Sequence, residues 1–133
     1  MRENAGSLGP MISRTARWTL LLLSLLWNAP PAGAQTETRI TLDGTLGPAG
    51  SPTPIPDASG DLYTVDEDVG TTAGANLFHS LGRLDLAADD TLRFTASSGN
   101  PFRNVIARVT GGRSLIDGTL ASTIPGANLF LVN

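Results

Sequence analysis

Asn104-Val-Ile-Ala-Arg-Val-Thr-Gly-Gly112-Arg-Ser-Leu-Ile-Asp-Gly-Thr-Leu120 sets apolar runs between glycine corners, and this stretch decides the fold. Val105, Ile106 and Val109 are β-branched, which favours a pleated, partly buried backbone over a helix. Gly111-Gly112 and Asp117-Gly118 break the runs where the chain must bend, because glycine adopts backbone angles that cost other residues energy. Short strands set close together, with such corners between them, are what a narrow β-coil requires. Leu129-Phe130-Leu131-Val132, behind the Pro125-Gly126 turn, extends the pattern.

The same character holds further upstream. Arg39-Ile40-Thr41-Leu42-Asp43, Arg83-Leu84-Asp85-Leu86 and Thr91-Leu92-Arg93-Phe94-Thr95 alternate apolar and polar residues, the period of a half-buried strand. Tyr63-Thr64-Val65 is denser and reads as more buried. Asp43-Gly44 and Gly99-Asn100-Pro101 are further turn signals. Residues 47–61 carry Pro48, Pro52, Pro54 and Pro56, so they are expected to form a surface loop rather than a helix or a central strand. No window keeps helical periodicity over three turns without a Gly or Pro. The expected fold is all-β. Gly74-Ala75-Asn76-Leu77-Phe78 recurs as Gly126-Ala127-Asn128-Leu129-Phe130. Two copies set no period; the echo fits stacked coils in which an Asn ladders with its neighbours, and it fits chance.

Ahead of this domain stand Arg2, Arg14 and Arg17, then the uncharged run Trp18–Trp27, then Ala29-Pro30-Pro31 and Ala32-Gly33-Ala34. A basic flank, a short apolar segment and an A-x-A site form a secretory signal, with cleavage expected between Ala34 and Gln35. The alternative, an uncleaved membrane anchor, is disfavoured because a span needs about 20 apolar residues. Met11 is a second candidate start, since it gives a more compact basic flank. Two regions follow, a signal peptide over 1–34 and one domain over 35–133.

The exported part has six arginines, eleven acids and no lysine, a net charge of −5. Nucleic-acid and anionic-lipid binding need a basic patch, which this composition does not supply. The chain has no cysteine. Small exported domains usually rely on disulfides. Their absence points to a core continued by further chain, or to a polypeptide kept unlocked for a second membrane crossing.

No constellation carries enzyme chemistry. Asp89-Asp90 would point to opposite faces of a strand and reads as a solvated turn. Asp66-Glu67-Asp68 lacks the loop that a hard cation requires and reads as acidic surface. His79 is the only histidine; a zinc site would need further ligands, and no triad partner is recognisable. No phosphate loop, dinucleotide fingerprint or nucleophile elbow is present. The chain is read as a non-enzyme without metal or cofactor.

Ile40-Thr-Leu-Asp-Gly-Thr-Leu46, Asn76-Leu-Phe-His-Ser-Leu81, Asn104–Gly112, Ser114–Leu120 and Ile124–Asn133, in that order and spacing behind a signal peptide, resemble the filamentous-haemagglutinin N-terminal domain, also called the haemagglutination activity or two-partner-secretion domain. The likeness covers roughly residues 39–133. It implies a right-handed parallel β-helix with antiparallel cap strands near its N-terminus. It also implies a secretion-directing role in an adhesin-like exoprotein, secreted or held at the cell surface of a Gram-negative type envelope. The implied partners are the Sec translocon and signal peptidase, then an outer-membrane barrel transporter with POTRA domains. A host or surface receptor would be met through a downstream passenger absent here. Such domains continue past Asn133 into further coils, so the chain reads as truncated, either the first part of a larger exoprotein or a broken reading frame. The proline content of 47–61 departs from the family.

For transporter recognition the resemblance points to Asn76, Phe78 and His79 in one stretch and Asn104, Arg108, Gly111 and Gly112 in the other. Read as residues alone, Phe78 belongs to the core and Gly111-Gly112 to a corner, while Asn76, Asn104 and Arg108 fit either role. Two other functions compete: a self-contained exported carbohydrate-binding or surface-adhesion β domain, and a β-helical polysaccharide lyase or hydrolase fragment. The last needs converging carboxylates, which the sequence does not offer.

Overall fold

The computed structural model describes Thr36–Asn133. The signal peptide and its expected Ala34–Gln35 cleavage site lie outside the described residues. The described part is all-β, apart from one 3-10 turn at Glu67–Val69. Its strands are β1 (Arg39–Leu42), β2 (Ile55–Asp57), β3 (Gly60–Asp66), β4 (Thr71–Ala73), β5 (Asn76–Leu86), β6 (Thr91–Thr95), β7 (Asn104–Val109), β8 (Leu115–Ile116), β9 (Thr119–Ser122) and β10 (Asn128–Val132).

The chain alternates between two mixed sheets. One has the order β1-β5-β7-β10, with β4 and β8 also paired to β5; the other has the order β2-β3-β6-β9. Within the first, β5, β7 and β10 run parallel and place Asn76, Asn104 and Asn128 side by side. Within the second, β3, β6 and β9 run parallel and align Leu62, Thr91 and Thr119. Strands β1, β2 and β4 are antiparallel to their neighbours. Parallel neighbours require crossover connections; here each crossover is the visit to the other sheet.

Period-two alternation explains which side chains enter the core. Leu77, Leu81, Val105, Ala107 and Val109 from the first sheet form one cluster with Val65, Leu92 and Phe94 from the second. Phe102 and Ile124, on successive connections between the sheets, are buried with them, and Val69 packs against the cluster. In β5 the alternation changes phase: Leu77, Leu81, Leu84 and Leu86 are all buried, although Leu81 and Leu84 stand three apart. The register slips at the same place, Thr41 pairing with Arg83 and Leu42 with Leu81, so Gly82 is a bulge.

Two sequence expectations are corrected. Residues 47–61 are not loop throughout, because Ile55–Asp57 pairs with β3. Pro56 is tolerated there since β2 is an edge strand. Arg83–Leu86 is not a separate strand but the second half of the eleven-residue β5. Its Asp85 is buried rather than solvent-facing, held 2.5 Å from Arg83 and accepting from the Leu115 amide at 3.1 Å.

Candidate functional site

The outer face of β5, β7 and β10 gathers most of the sequence-predicted recognition residues. Since Leu77, His79 and Leu81 point inward, Asn76, Phe78 and Ser80 point outward. The parallel register then builds three rows across the strands: Asn76–Asn104–Asn128, Phe78–Ile106–Phe130 and Ser80–Arg108–Val132.

The first row is a hydrogen-bonded ladder. Asn104 Nδ2 donates to Asn76 Oδ1 at 2.7 Å, and Asn128 Nδ2 donates to Asn104 Oδ1 at 3.2 Å. Asn104 is therefore both donor and acceptor, the middle rung. The recurring Gly-Ala-Asn-Leu-Phe stretches are the first and third of these positions, with Gly74 and Gly126 both left-handed at φ 59° and 69°. The echo is the sequence signal for Asn128, which the likeness alone does not mark as a site residue.

The second row is apolar although it faces away from the core. Phe78 and Ile106 are partly buried, and Phe130 is 49% exposed. Phe78 is not among the core residues, which corrects the reading of it as core.

The third row leads into a polar cluster. Arg108 donates from Nη2 to Ser80 Oγ at 2.9 Å and to Thr45 Oγ1 at 3.0 Å. Ser80 Oγ donates to Asp43 Oδ2 at 2.7 Å, and Thr110 Oγ1 donates to the same oxygen at 2.8 Å. Asp43 Oδ1 accepts from the Thr45 amide and hydroxyl at 2.9 and 2.8 Å. These donors, the Ser80 hydroxyl foremost, hold the Asp43 carboxyl well below the usual carboxylate range. No spacing in the sequence marks this cluster, since its members lie up to 67 residues apart.

The remaining expected residues are placed elsewhere. His79 points inward, fully buried, with its ring centroid 5.3 Å from that of Phe94. Neither ring nitrogen has a hydrogen-bond partner. Burial pushes its pKa down, and the nearby Val69 backbone, then Asp66 and Asp68, oppose this without reversing it. In the folded domain His79 cannot touch a partner. Gly111 and Gly112 form the corner after β7. A Cβ on Gly111 would lie 1.7 Å from the Gly82 carbonyl oxygen, and Gly112 adopts φ 101°. Both are required by the backbone path.

The acidic stretches also have structural roles. Asp66 accepts from Thr95 Oγ1 at 2.6 Å and Ser97 Oγ at 3.0 Å, tying one coil to the next. Burial would raise its pKa, but those hydroxyls outweigh it and the net shift is downward. Asp90 accepts from the Asp61 amide at 2.9 Å and from the Thr38 hydroxyl. It is a brace between strands rather than the solvated turn expected, while Asp89 stays exposed. Among the described residues no three His, Cys, Asp or Glu side chains gather to hold a metal ion.

An open groove of about 460 Å³ lies beside β1, lined by Ile40, Pro52, Tyr63, Arg39 and Arg83 among others. Both arginines are already ion-paired, with Glu37 at 2.9 Å and Asp85 at 2.5 Å. The three-row face, with an oriented guanidinium beside exposed apolar side chains, is the stronger candidate. No family model, no curated protein and no solved structure matches this chain.

Proposed function

We propose that residues 35–133 are the secretion-directing domain of a two-partner-secreted adhesin or haemagglutinin-like exoprotein. In this reading the protein enters the periplasm through Sec and loses its signal peptide. A POTRA-containing outer-membrane barrel then recognises it and exports it to the surface or medium. The domain is not an enzyme; its carboxylates brace the fold. The two stacks of strands are the opening turns of a right-handed parallel β-helix, with β1, β2 and β4 as its antiparallel cap.

One observation carries the reading: the stretches that bear the family likeness fall into lateral register. Asn76–Leu81 and Asn104–Val109 lie side by side, and Asn128–Val132 follows as the next strand. Their alignment gives the likeness a physical basis, because each copy of the motif stacks on the previous one. The chain has no cysteine to lock it while it remains in an oxidising compartment. Each coil laid down outside the membrane buries apolar surface at about 25 cal/mol per Å². Sequential stacking thereby biases passage outward. Free strand edges give a partner sheet somewhere to add by main-chain hydrogen bonds.

The test is export in cells. The full chain, epitope-tagged at its C-terminus, is produced with and without a POTRA-containing outer-membrane barrel transporter of the two-partner class. Release of tagged protein to the medium only when the transporter is present is the expected result. Retention in the periplasm in both cases, or saturable binding of purified glycans without any transporter dependence, overturns the proposal.

A further inference from the structure

We infer that the outer face of β5, β7 and β10 is the docking face for the transporter's periplasmic domain, and that the partner meets Arg108 with a carboxylate and the Phe78–Ile106–Phe130 row with apolar side chains. The inference rests on the reading above and adds the face and the chemistry of the contact.

Three observations lead to it. First, Phe78, Ile106 and Phe130 form an apolar row on the side of the sheet turned away from the core, with Phe78 and Ile106 partly buried and Phe130 exposed at its end, next to the exposed Val132. An antiparallel or mixed sheet with one solvated face normally sets polar residues there, and contiguous exposed apolar surface marks an interaction site. Secondly, Arg108 lies one row further along and is held in place. Its Nε and Nη2 donate to Ser80 and Thr45, so its orientation is fixed before any partner arrives. Fixing a long side chain in advance removes an entropic cost from binding. Thirdly, Arg108 makes no ion pair among the described residues. The nearest carboxylate in its network, Asp43, is one hydroxyl away, and both its oxygens are occupied by Ser80, Thr45 and Thr110. The guanidinium retains unbonded N–H groups in a fork that matches a carboxylate. An oriented arginine beside the half-exposed Phe130 ring is the composition of an interface anchor.

The charge pattern selects the occupant. A second copy facing this one would bring Arg108 toward its own counterpart with no free acid on the face to answer it. Anionic lipid and nucleic acid need several cations, and Arg108 is the only one in the three rows. An acidic protein segment satisfies both the charge and the apolar row.

The experiment measures binding of residues 35–133 to the purified POTRA domains of the transporter that exports the chain in the test above, at low and high salt. Arg108→Gln weakens binding roughly tenfold at low salt and flattens its salt dependence, since the charged contact is gone. Phe130→Ser weakens binding to a similar degree but leaves the salt dependence as in wild type. Far-ultraviolet circular dichroism of both variants stays native, because Phe130 and Arg108 are exposed. Wild-type binding that neither substitution alters sinks this inference and spares the proposed function. Absence of wild-type binding sinks both. Should a variant lose its fold, Arg108→Lys replaces Arg108→Gln. It keeps the charge but not the fork, and is expected to lose affinity while keeping the salt slope; unchanged affinity would reject the carboxylate contact.

Discussion

His79 is a neutral imidazole inside an apolar core, with two ring nitrogens that find no partner. Leaving such groups unsatisfied costs stability, and an apolar residue of similar volume removes that cost. His79→Leu is therefore expected to melt no lower than wild type at neutral pH. The pH dependence is sharper still. The folded pKa lies below the ordinary value of 6.5, so below that pH the unfolded chain takes up a proton that the folded one refuses. Stability falls as pH drops from about 6.5 toward the folded pKa, by at most about 1.4 kcal/mol per pH unit for one proton. Asp43 and Asp66 act in a separate window. Their folded pKa values lie below the ordinary 3.8, so the stability they confer is present above that value and lost further into acid. Thermal melts from pH 7 to pH 5 should show a decline in wild type that is absent in His79→Leu. A decline of equal size in both would remove His79 as its cause. Gly111 gives a second expectation at this scale. Its hydrogen faces the Gly82 carbonyl, and a methyl group would sit 1.7 Å from that oxygen. Gly111→Ala must shift the backbone of β5 or β7 and is expected to cost at least about 2 kcal/mol by chemical denaturation. Gly74→Ala, with open space around its Cβ, pays only the strain of φ 59° and costs less.

Among elements, the asparagine ladder distinguishes its rungs. Asn104→Ala removes two side-chain hydrogen bonds and leaves Asn76 and Asn128 without their partner. It should cost about 1–2 kcal/mol, while Asn76→Ala, which removes the single side-chain bond of an end rung, should cost about half as much. Equal losses from both, measured by urea denaturation, would mean that the ladder is not acting as a chain. How much of this was legible in sequence follows from the range of each interaction. Thr91–Thr95 is a strand with the bounds its alternation gave, and β1, β7 and β10 lie within a residue of theirs, because side-chain period is a local property. The corners at Gly44, Gly99, Gly112 and Gly126 adopt positive φ, as turn chemistry requires, whereas Gly118 does not and is needed because the Ala87 and Asp90 carbonyls leave no room for a Cβ. β5 was fragmented because the Gly82 bulge reverses its alternation midway, so no single period spans it. β2, β4 and β8 hold two or three residues each and are fixed by pairing with neighbours rather than by their own pattern. At the site, the two stretches naming Asn76 and Asn104 were legible, but their hydrogen bond was not. The inward side of His79 and the outward side of Phe78 follow from which alternate residues of β5 face the core, which the sequence alone does not show. Asp43 and Thr45 lie in the Ile40–Leu46 stretch and Ser80 in Asn76–Leu81, but nothing in either stretch marks them as one cluster, because only the fold brings the Asp43-Gly44 turn to the outer side of β5.

Across the whole molecule, the two ends of the strand stacks differ in how they treat their edges. At one end β1 and β2 are antiparallel additions, and Pro52, Pro54 and Pro56 lie in and before β2. Proline in β2, and in β1 the exposed charge of Arg39 with the register break at Thr41–Leu42, discourage further strands. At the other end β9 and β10 close the parallel stacks, and no charged residue occurs from Gly118 to Asn133. Val132 is 52% exposed, and the inward-facing Leu129 and Leu131 are only partly covered. An apolar strand edge without charge, proline or bulge pairs with other chains. Residues 35–133 produced alone should therefore associate through β9 and β10. Since the opposite end is blocked, association should stop at two copies rather than grow into filaments. The contact is small: a five-residue strand is about 17 Å long and the sheets stand roughly 10 Å apart. It should fall at the low end of specific interfaces and dissociate on dilution. Lysine at Ala121 and Val132, one on each edge strand, is expected to return the protein to a monomer without changing its circular dichroism. Light scattering across a concentration series reads the outcome. A wild-type monomer with a sharp melt at every concentration, or open-ended growth that the two lysines fail to stop, would show that these edges are not the association surface.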